Sequence, residues 1–339
     1  MKRFLVAVIS ILVLVTGLNA NAAFSDVFVV GDSLSDNGNA KIALETALMS
    51  SPFPFPTNAA PPWDLIPSQP YSQADTFSDG PVWVDQLAQN LTGRPTTPSF
   101  LGGTNYAFGG ARTGNRANAF EPLGGLDQLG LISLAHDALP DDALYVVWLG
   151  GNDLRDAARA ADAGTASTII SDAINNIGTI IGGLASIGAT DFLVPNTTDL
   201  GLTPEADLAT TFGLAPYVQD ASAISNQFNS ALAATIASLE STLPINITLL
   251  DTFAAVNAIV ADPTGFGFTD VDNPCLEIGA GGVCANPDQY LFWDGIHPTA
   301  EIQARTAALA TAAVVPVPAA LPLFLSAIGF FACWGRRMR

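Results

Sequence analysis

The 339 residues are 49% hydrophobic and only 13% charged, which is ample for a large apolar core and argues against disorder. The formal net charge is −19, and all 31 acidic residues lie between the two terminal stretches, which hold five of the 12 basic ones. So acidic a surface repels nucleic acid and anionic membranes, and a polyanion-binding role is excluded.

Met1-Lys2-Arg3, an uncharged apolar run from Phe4 to Leu18, and Ala20-Asn21-Ala22 have the order of a secretory signal, so residues 1–22 read as a signal peptide. A membrane anchor is the competing reading, for which the run is short. Asp26-Val27-Phe28-Val29-Val30 is an apolar β-rich run ending at Gly31, a buried strand that enters a turn. Residues 51–80, rich in Pro, Ser and Asn, read as a long insertion loop. After Pro81, the residues Val82, Trp83, Leu87 and Leu91 recur at helical spacing. Asn105-Tyr106-Ala107-Phe108 is a strand running into Gly109-Gly110, and Leu144–Leu149 is the clearest strand, ending at Gly150-Gly151.

Helical patterns cover 166–187 and 221–243, strands cover 191–194 and 245–250, and a helix starts at Thr252. An irregular Gly-rich loop is expected over 262–290 and a last helix over 299–313. Continuously apolar strands alternating with helices imply a parallel sheet covered on both faces, with ligands bound beyond the carboxyl ends of its strands. Residues 23–313 then form one domain.

Cys275 and Cys284, nine apart in that loop, are expected to form a disulfide in an exported chain; a metal pair is the weaker reading because neither histidine is near in sequence. Asp262, Asp270 and Asp272 match no known calcium-ligand spacing.

The chain has two histidines. His136 sits in Ala135-His136-Asp137 and reads as a surface-loop residue. His297 lies in Asp294-Gly295-Ile296-His297-Pro298, where Asp294 can reach the imidazole across one turn, fix its tautomer and stabilise the imidazolium. A carboxylate–histidine staple for the loop is the alternative. Ser33, after the first strand and a glycine, is exposed at the sheet's edge over the start of a helix, or simply caps that helix. Asn152, after two glycines, is a neutral donor suited to an oxyanion, and Gly110 could add a backbone N–H; each has a turn-forming reading as well. The G-x-S-x-G elbow is absent.

Taken in order, Gly31-Asp32-Ser33-Leu34, Gly110, Gly150-x-Asn152-Asp153 and Asp294-x-x-His297-Pro298 resemble the four blocks of the GDSL, or SGNH, hydrolase family across residues 24–313. Ser35–Asn39, Thr104–Ala107, Val194–Asn196 with Asp199–Gly201, and Asn286–Trp293 further resemble its lecithinase/haemolysin-like branch. The resemblance implies a three-layer α/β/α, flavodoxin-like fold of about five parallel strands and no metal or organic cofactor. It also implies Ser33 as nucleophile, Asp294 and His297 as its relay, and an oxyanion hole from the Ser33 and Gly110 N–H groups and the Asn152 side chain, with Gly109 as the neighbouring choice for Gly110. Asp32 and Asp153 are then structural acceptors.

The implied reaction is two-step acyl transfer on a carboxylic ester, of acyl-ester or phospholipid type. The alternatives are a carbohydrate O-deacetylase and a catalytically inactive, surface-anchored binding protein. Phe53, Phe55, Trp63 and Trp83 favour acyl-chain substrates, unless they are core.

Residues 314–339 are uncharged and apolar up to Gly335, carry Pro316, Pro318 and Pro322 near their start, and close on Arg336, Arg337 and Arg339. The order Val315-Pro316-Val317-Pro318-Ala319-Ala320, apolar run, arginines resembles the VPxPA variant of PEP-CTERM sorting tails of Gram-negative bacteria. That implies engagement of membrane sorting machinery and a product at the cell surface or beyond it; a permanent anchor is the plainer alternative.

Overall fold

The first strand, β1 (Val27–Gly31), is buried along its whole length, as its unbroken apolar run requires. In the computed structural model, which describes residues 24–50, 75–118, 121–210, 214–277 and 282–315, it lies inside a parallel sheet. The expected signal segment, the sorting tail with Cys333, and Phe53, Phe55 and Trp63 fall outside the described residues.

β1 pairs in parallel with β2 (Leu144–Trp148), β2 with β3 (Asp191–Pro195), and β3 with β4 (Asn246–Leu250). The stretch Thr104–Phe108 flanks the free edge of β1 through three backbone bonds: Val29 N–H to Thr104 O at 3.0 Å, Tyr106 N–H to Val29 O at 2.8 Å and Phe108 N–H to Gly31 O at 3.1 Å. Only an isolated parallel bridge, Val29 to Asn105, joins it to β1, so the sheet itself has four strands in the order β1-β2-β3-β4 and this stretch stands where a fifth strand was expected. Counted with that stretch, the chain order is 2-1-3-4-5, the flavodoxin-like order, whose crevice opens beside the first strand where the winding reverses.

Alternate side chains explain the three layers. Phe28, Val30, Tyr145, Val147, Phe192 and Val194 point into one layer, which is closed by α3 (Gly125–Ala135), α4 (Gly151–Arg159), α5 (Ala163–Ser186) and α7 (Ala221–Thr242). Val27, Val29, Leu144, Val146, Trp148 and Leu193 point the other way, under α2 (Trp83–Thr92) and α10 (Ala300–Val314). The remaining helices are α1 (Asn39–Ser50), α6 (Pro204–Leu208), α8 (Thr252–Ala261) and α9 (Pro263–Phe266). Among the described residues no helix is long and apolar enough to cross a membrane.

Two expectations need correction. The 262–290 stretch is not wholly irregular: it holds α9 and β5 (Asp270–Pro274), which pairs in parallel with β8 (Tyr290–Phe292), plus the hairpin of β6 (Leu276–Glu277) and β7 (Gly282–Val283). Cys275 and Cys284 are bonded to each other across that hairpin. Trp83, read as a candidate acyl-chain contact, is fully buried; its indole N–H donates to Ser35 Oγ at 3.1 Å and its ring meets Trp148 edge-on.

Candidate active site

β1 delivers Gly31 to the carboxyl edge of the sheet, and the chain turns there at once. Ser35 and Asp36 both donate their N–H to Asp32 O at 3.0 Å, so Ser33 occupies a closed turn. Helix α1 begins only at Asn39, so Ser33 is not at a helix start as the sequence pattern led us to expect. Gln128 of α3 grips the turn from below, accepting from Gly31 N–H at 2.9 Å and donating to Gly31 O at 2.8 Å. Asp36 grips it from the side: its carboxylate accepts from the N–H groups of Gly38, Asn39, Ala40 and Gly109. Asn105 donates to Ser35 O at 2.8 Å. Each bond removes a freedom that the Ser33 hydroxyl would otherwise have.

The second half of the site comes from the turn after β8. Asp294 Oδ1 accepts from the N–H groups of Ile296 at 2.9 Å and His297 at 2.8 Å, closing the turn. Its Oδ2 stands 2.7 Å from His297 Nδ1, and His297 Nε2 stands 2.8 Å from Ser33 Oγ. Trp293 N–H donates to His297 O at 2.7 Å, which together with Pro298 fixes the backbone. Residues 33 and 297, 264 apart in the chain, thus share a hydrogen bond. Phe77 packs its ring 5.3 Å from the imidazole, and Ser78 Oγ and Asp79 bond Pro298 O and Ala300 N–H. That buttress comes from a stretch which reads in sequence only as loop.

Asn152 lies in the first turn of α4, after Gly150, whose φ of 116° is a left-handed value that favours glycine. Its Nδ2 donates to Ala111 O at 3.0 Å and its Oδ1 accepts from Arg155 Nη1 at 3.0 Å, which leaves one amide N–H to face the groove. Ser33, Asn152 and His297 line that groove together. Gly110 has φ 77° and precedes the Ala111 carbonyl that Asn152 bonds. The neighbouring Gly109 N–H is occupied by Asp36 at 2.7 Å, whereas the Gly110 N–H has no acceptor among the described residues. Of the two glycines, Gly110 is the one with a donor to offer.

His136 stays apart from the groove, half-buried at the end of α3, edge-on to Phe28 and 3.4 Å from the Tyr106 hydroxyl. Asp153 accepts from the Thr113 N–H and hydroxyl. Among the described residues no acidic, histidine or cysteine cluster could hold a metal ion; Asp262 and Asp270 each accept backbone N–H groups of their own turns.

Asp32 is buried and accepts the Leu34 N–H at 3.0 Å. Burial pushes its carboxyl up from 3.8 to about 7, against the opposing pull of the Leu34 N–H and His297. A raised folded-state value means that the native protein holds a proton which the unfolded chain releases, so Asp32 lowers stability progressively as pH rises from near 3.8 through 7. Asp32→Asn keeps the acceptor for Leu34 and removes the charge. Its melting temperature should exceed that of the parent at pH 8, and the gap should narrow as pH falls and close only below about 3.8.

A parallel four-stranded sheet carrying a serine–histidine–aspartate relay at its carboxyl edge, beside a poised amide, defines a serine-type ester hydrolase. A match to the GDSL-like lipase/acylhydrolase model over residues 27–310 makes the chain a member of that family, and a carboxylic ester hydrolase. It is 28% identical over 284 residues to a phosphatidylcholine-sterol acyltransferase of Aeromonas hydrophila, covering 81% of this chain and 72% of that protein. A GDSL esterase/lipase of Arabidopsis thaliana is 26% identical, with 81% of each chain covered. Among solved structures, an acetylxylan esterase of Geobacillus stearothermophilus aligns at 13% identity over 86% of this chain and 93% of its own, with a TM-score of 0.42.

Proposed function

We propose that the protein is an exported acyl-ester or phospholipid hydrolase of the lecithinase/haemolysin-like branch, working through a covalent acyl–Ser33 intermediate. The observation that carries this reading is the unbroken relay, 2.7 Å from Asp294 to His297 and 2.8 Å from His297 to Ser33. His297 takes the Ser33 proton as Oγ attacks the ester carbonyl, then gives that proton to the departing alcohol. Water, deprotonated by the same imidazole, attacks the acyl–Ser33 ester, and the acid leaves as Oγ regains a proton. Asp294 holds the imidazole and stabilises its charged form throughout. The N–H groups of Ser33 and Gly110 and the Asn152 amide receive the negative charge on the carbonyl oxygen in each tetrahedral intermediate. The name of the Aeromonas hydrophila relative, phosphatidylcholine-sterol acyltransferase, supports the acyl-lipid side of the reading.

A fluorophosphonate probe should label the parent protein and leave Ser33→Ala unlabelled and inactive on p-nitrophenyl esters. Equal labelling of the two overturns the reading. Replacing Asn152 by Ala is expected to lower kcat by about 10²- to 10³-fold with KM little changed, because the donor acts on charge that develops only in the transition state.

Export rests on the residue pattern of 1–22, and surface sorting on that of 314–339. Mass spectrometry of the mature protein should find an N-terminus near Ala23 and a chain lacking Arg336–Arg339. An intact 339-residue chain confined to the cytoplasm counts against both.

A further inference from the structure

Beside the reactive groove lies a second, separate hollow. It is a cavity of about 110 Å³ between α8, α10 and the end of β8, bounded by Ala255, Val256, Ile259, Phe292, Ile302 and Leu309. The two spaces share three half-buried residues, Leu34, Thr198 and Ile296. Leu34 follows Ser33 and Ile296 precedes His297, so side chains attached to the relay itself form the common rim. The cavity therefore adjoins the groove at the two residues next to Ser33 and His297, on the side where an acyl group on Ser33 could extend.

The polar residues of the lining have little to offer a ligand. Asp199 accepts from Gly201 N–H and Ser222 Oγ, Thr252 donates to Asn196 O, and Gln303 accepts from Trp83 N–H. Thr306 donates to Ile302 O, and Arg305 is held by Glu301 and Phe266 O at the outer wall. Thr198 is the only other polar residue of the lining. A saccharide here would lose its hydrogen bonds to water and gain almost none in return. A hydrocarbon chain loses nothing, and a dry apolar cavity receives it favourably.

We infer that this cavity is the acyl-chain site, so that the enzyme selects esters of medium-length fatty acids over acetyl esters. The inference rests on the ester-hydrolase reading above and narrows it. Each methylene buried should raise kcat/KM roughly fourfold until the cavity is full.

The test compares p-nitrophenyl acetate with the hexanoate ester for the parent protein and for Ala255→Trp and Thr306→Trp, which fill the cavity from opposite walls without touching the relay. The parent should favour hexanoate by at least tenfold, and in each variant the ratio of kcat/KM for hexanoate to that for acetate should fall towards one. A parent enzyme active on acetate with no preference for hexanoate overturns this inference alone, as does a preference unchanged in variants whose melting curves show them folded. A parent inert on every ester overturns the hydrolase reading with it. One measurement needs no substitution. A fluorophosphonate with a photoreactive hexyl tail, bonded to Ser33 and irradiated, should cross-link within 252–261 or 300–314; cross-links confined to other segments defeat the assignment.

Discussion

Asp294→Asn should lower kcat by about 10⁴-fold and leave the melting temperature nearly unchanged. The asymmetry follows from what each carboxylate oxygen does. Oδ1 accepts two backbone N–H groups, from Ile296 and His297, and an amide oxygen can do the same. Oδ2 faces His297 Nδ1, where the amide presents an NH₂ that can only donate. Nδ1 must then be the acceptor, the imidazole proton moves to Nε2, and Nε2 points a hydrogen at Ser33 Oγ in place of a lone pair. The base is in position but holds the wrong proton. Steady-state kinetics on a p-nitrophenyl ester and a thermal melt of the same sample check both halves. Near-parental turnover in a folded variant would mean that another group sets the tautomer.

The residues of the hydrogen-bonded chain Asp294–His297–Ser33 were readable in the sequence because their signals are local on both sides. Asp294 and His297 are three residues apart in a turn with a proline, and Ser33 follows an apolar strand and a glycine. Strands that are buried on both faces also announce themselves, which is why β1, β2 and β3 were legible. The supports of the nucleophile turn were not. Gln128 acts 97 positions from Gly31, in a glycine-containing helix that shows no strong apolar stripe. Asp36 stood out only within the Ser35–Asn39 stretch that resembles one branch of the family, yet its bond to Gly109 is what distinguishes the two glycines. Phe77 and Ser78 lie at the end of a Pro- and Ser-rich stretch whose composition speaks only for a loop. Trp83 misled in the opposite direction: one aromatic near a polar insertion says nothing of which way it faces, and its burial under Trp148 is a tertiary fact.

The least legible part of the site is the ion network behind Asn152, and it carries the second large expectation. Glu205 of α6 accepts both nitrogens of a bidentate pair with Arg155, at 2.9 and 2.8 Å, together with Arg159 at 2.6 Å and the Tyr217 hydroxyl at 2.8 Å. Burial would raise its carboxyl; the two guanidiniums and the phenol outweigh this and hold it below its ordinary value. Its own N–H donates to Gly295 O at 2.9 Å, inside the Asp294–His297 turn. One residue therefore joins the turn that carries the base to the arginine that orients Asn152. Glu205→Ala leaves the Arg155 charge, only 7% exposed, without its carboxylate, and should cost about 3–5 kcal/mol in a denaturant titration.

The double variant Arg155→Met/Glu205→Leu separates stability from positioning. It removes the more deeply buried pair, leaves Arg159, which is 21% exposed, with the Ala215 carbonyl, and should recover part of the lost stability. The Asn152 amide nevertheless remains without the donor that fixes its oxygen, and kcat should stay depressed by up to about 100-fold with KM little changed, since small displacements of a reacting group carry costs of that order. If the double variant is stable and turns over at the parental rate, Arg155 is not a positioning residue for Asn152 and the network serves the fold alone.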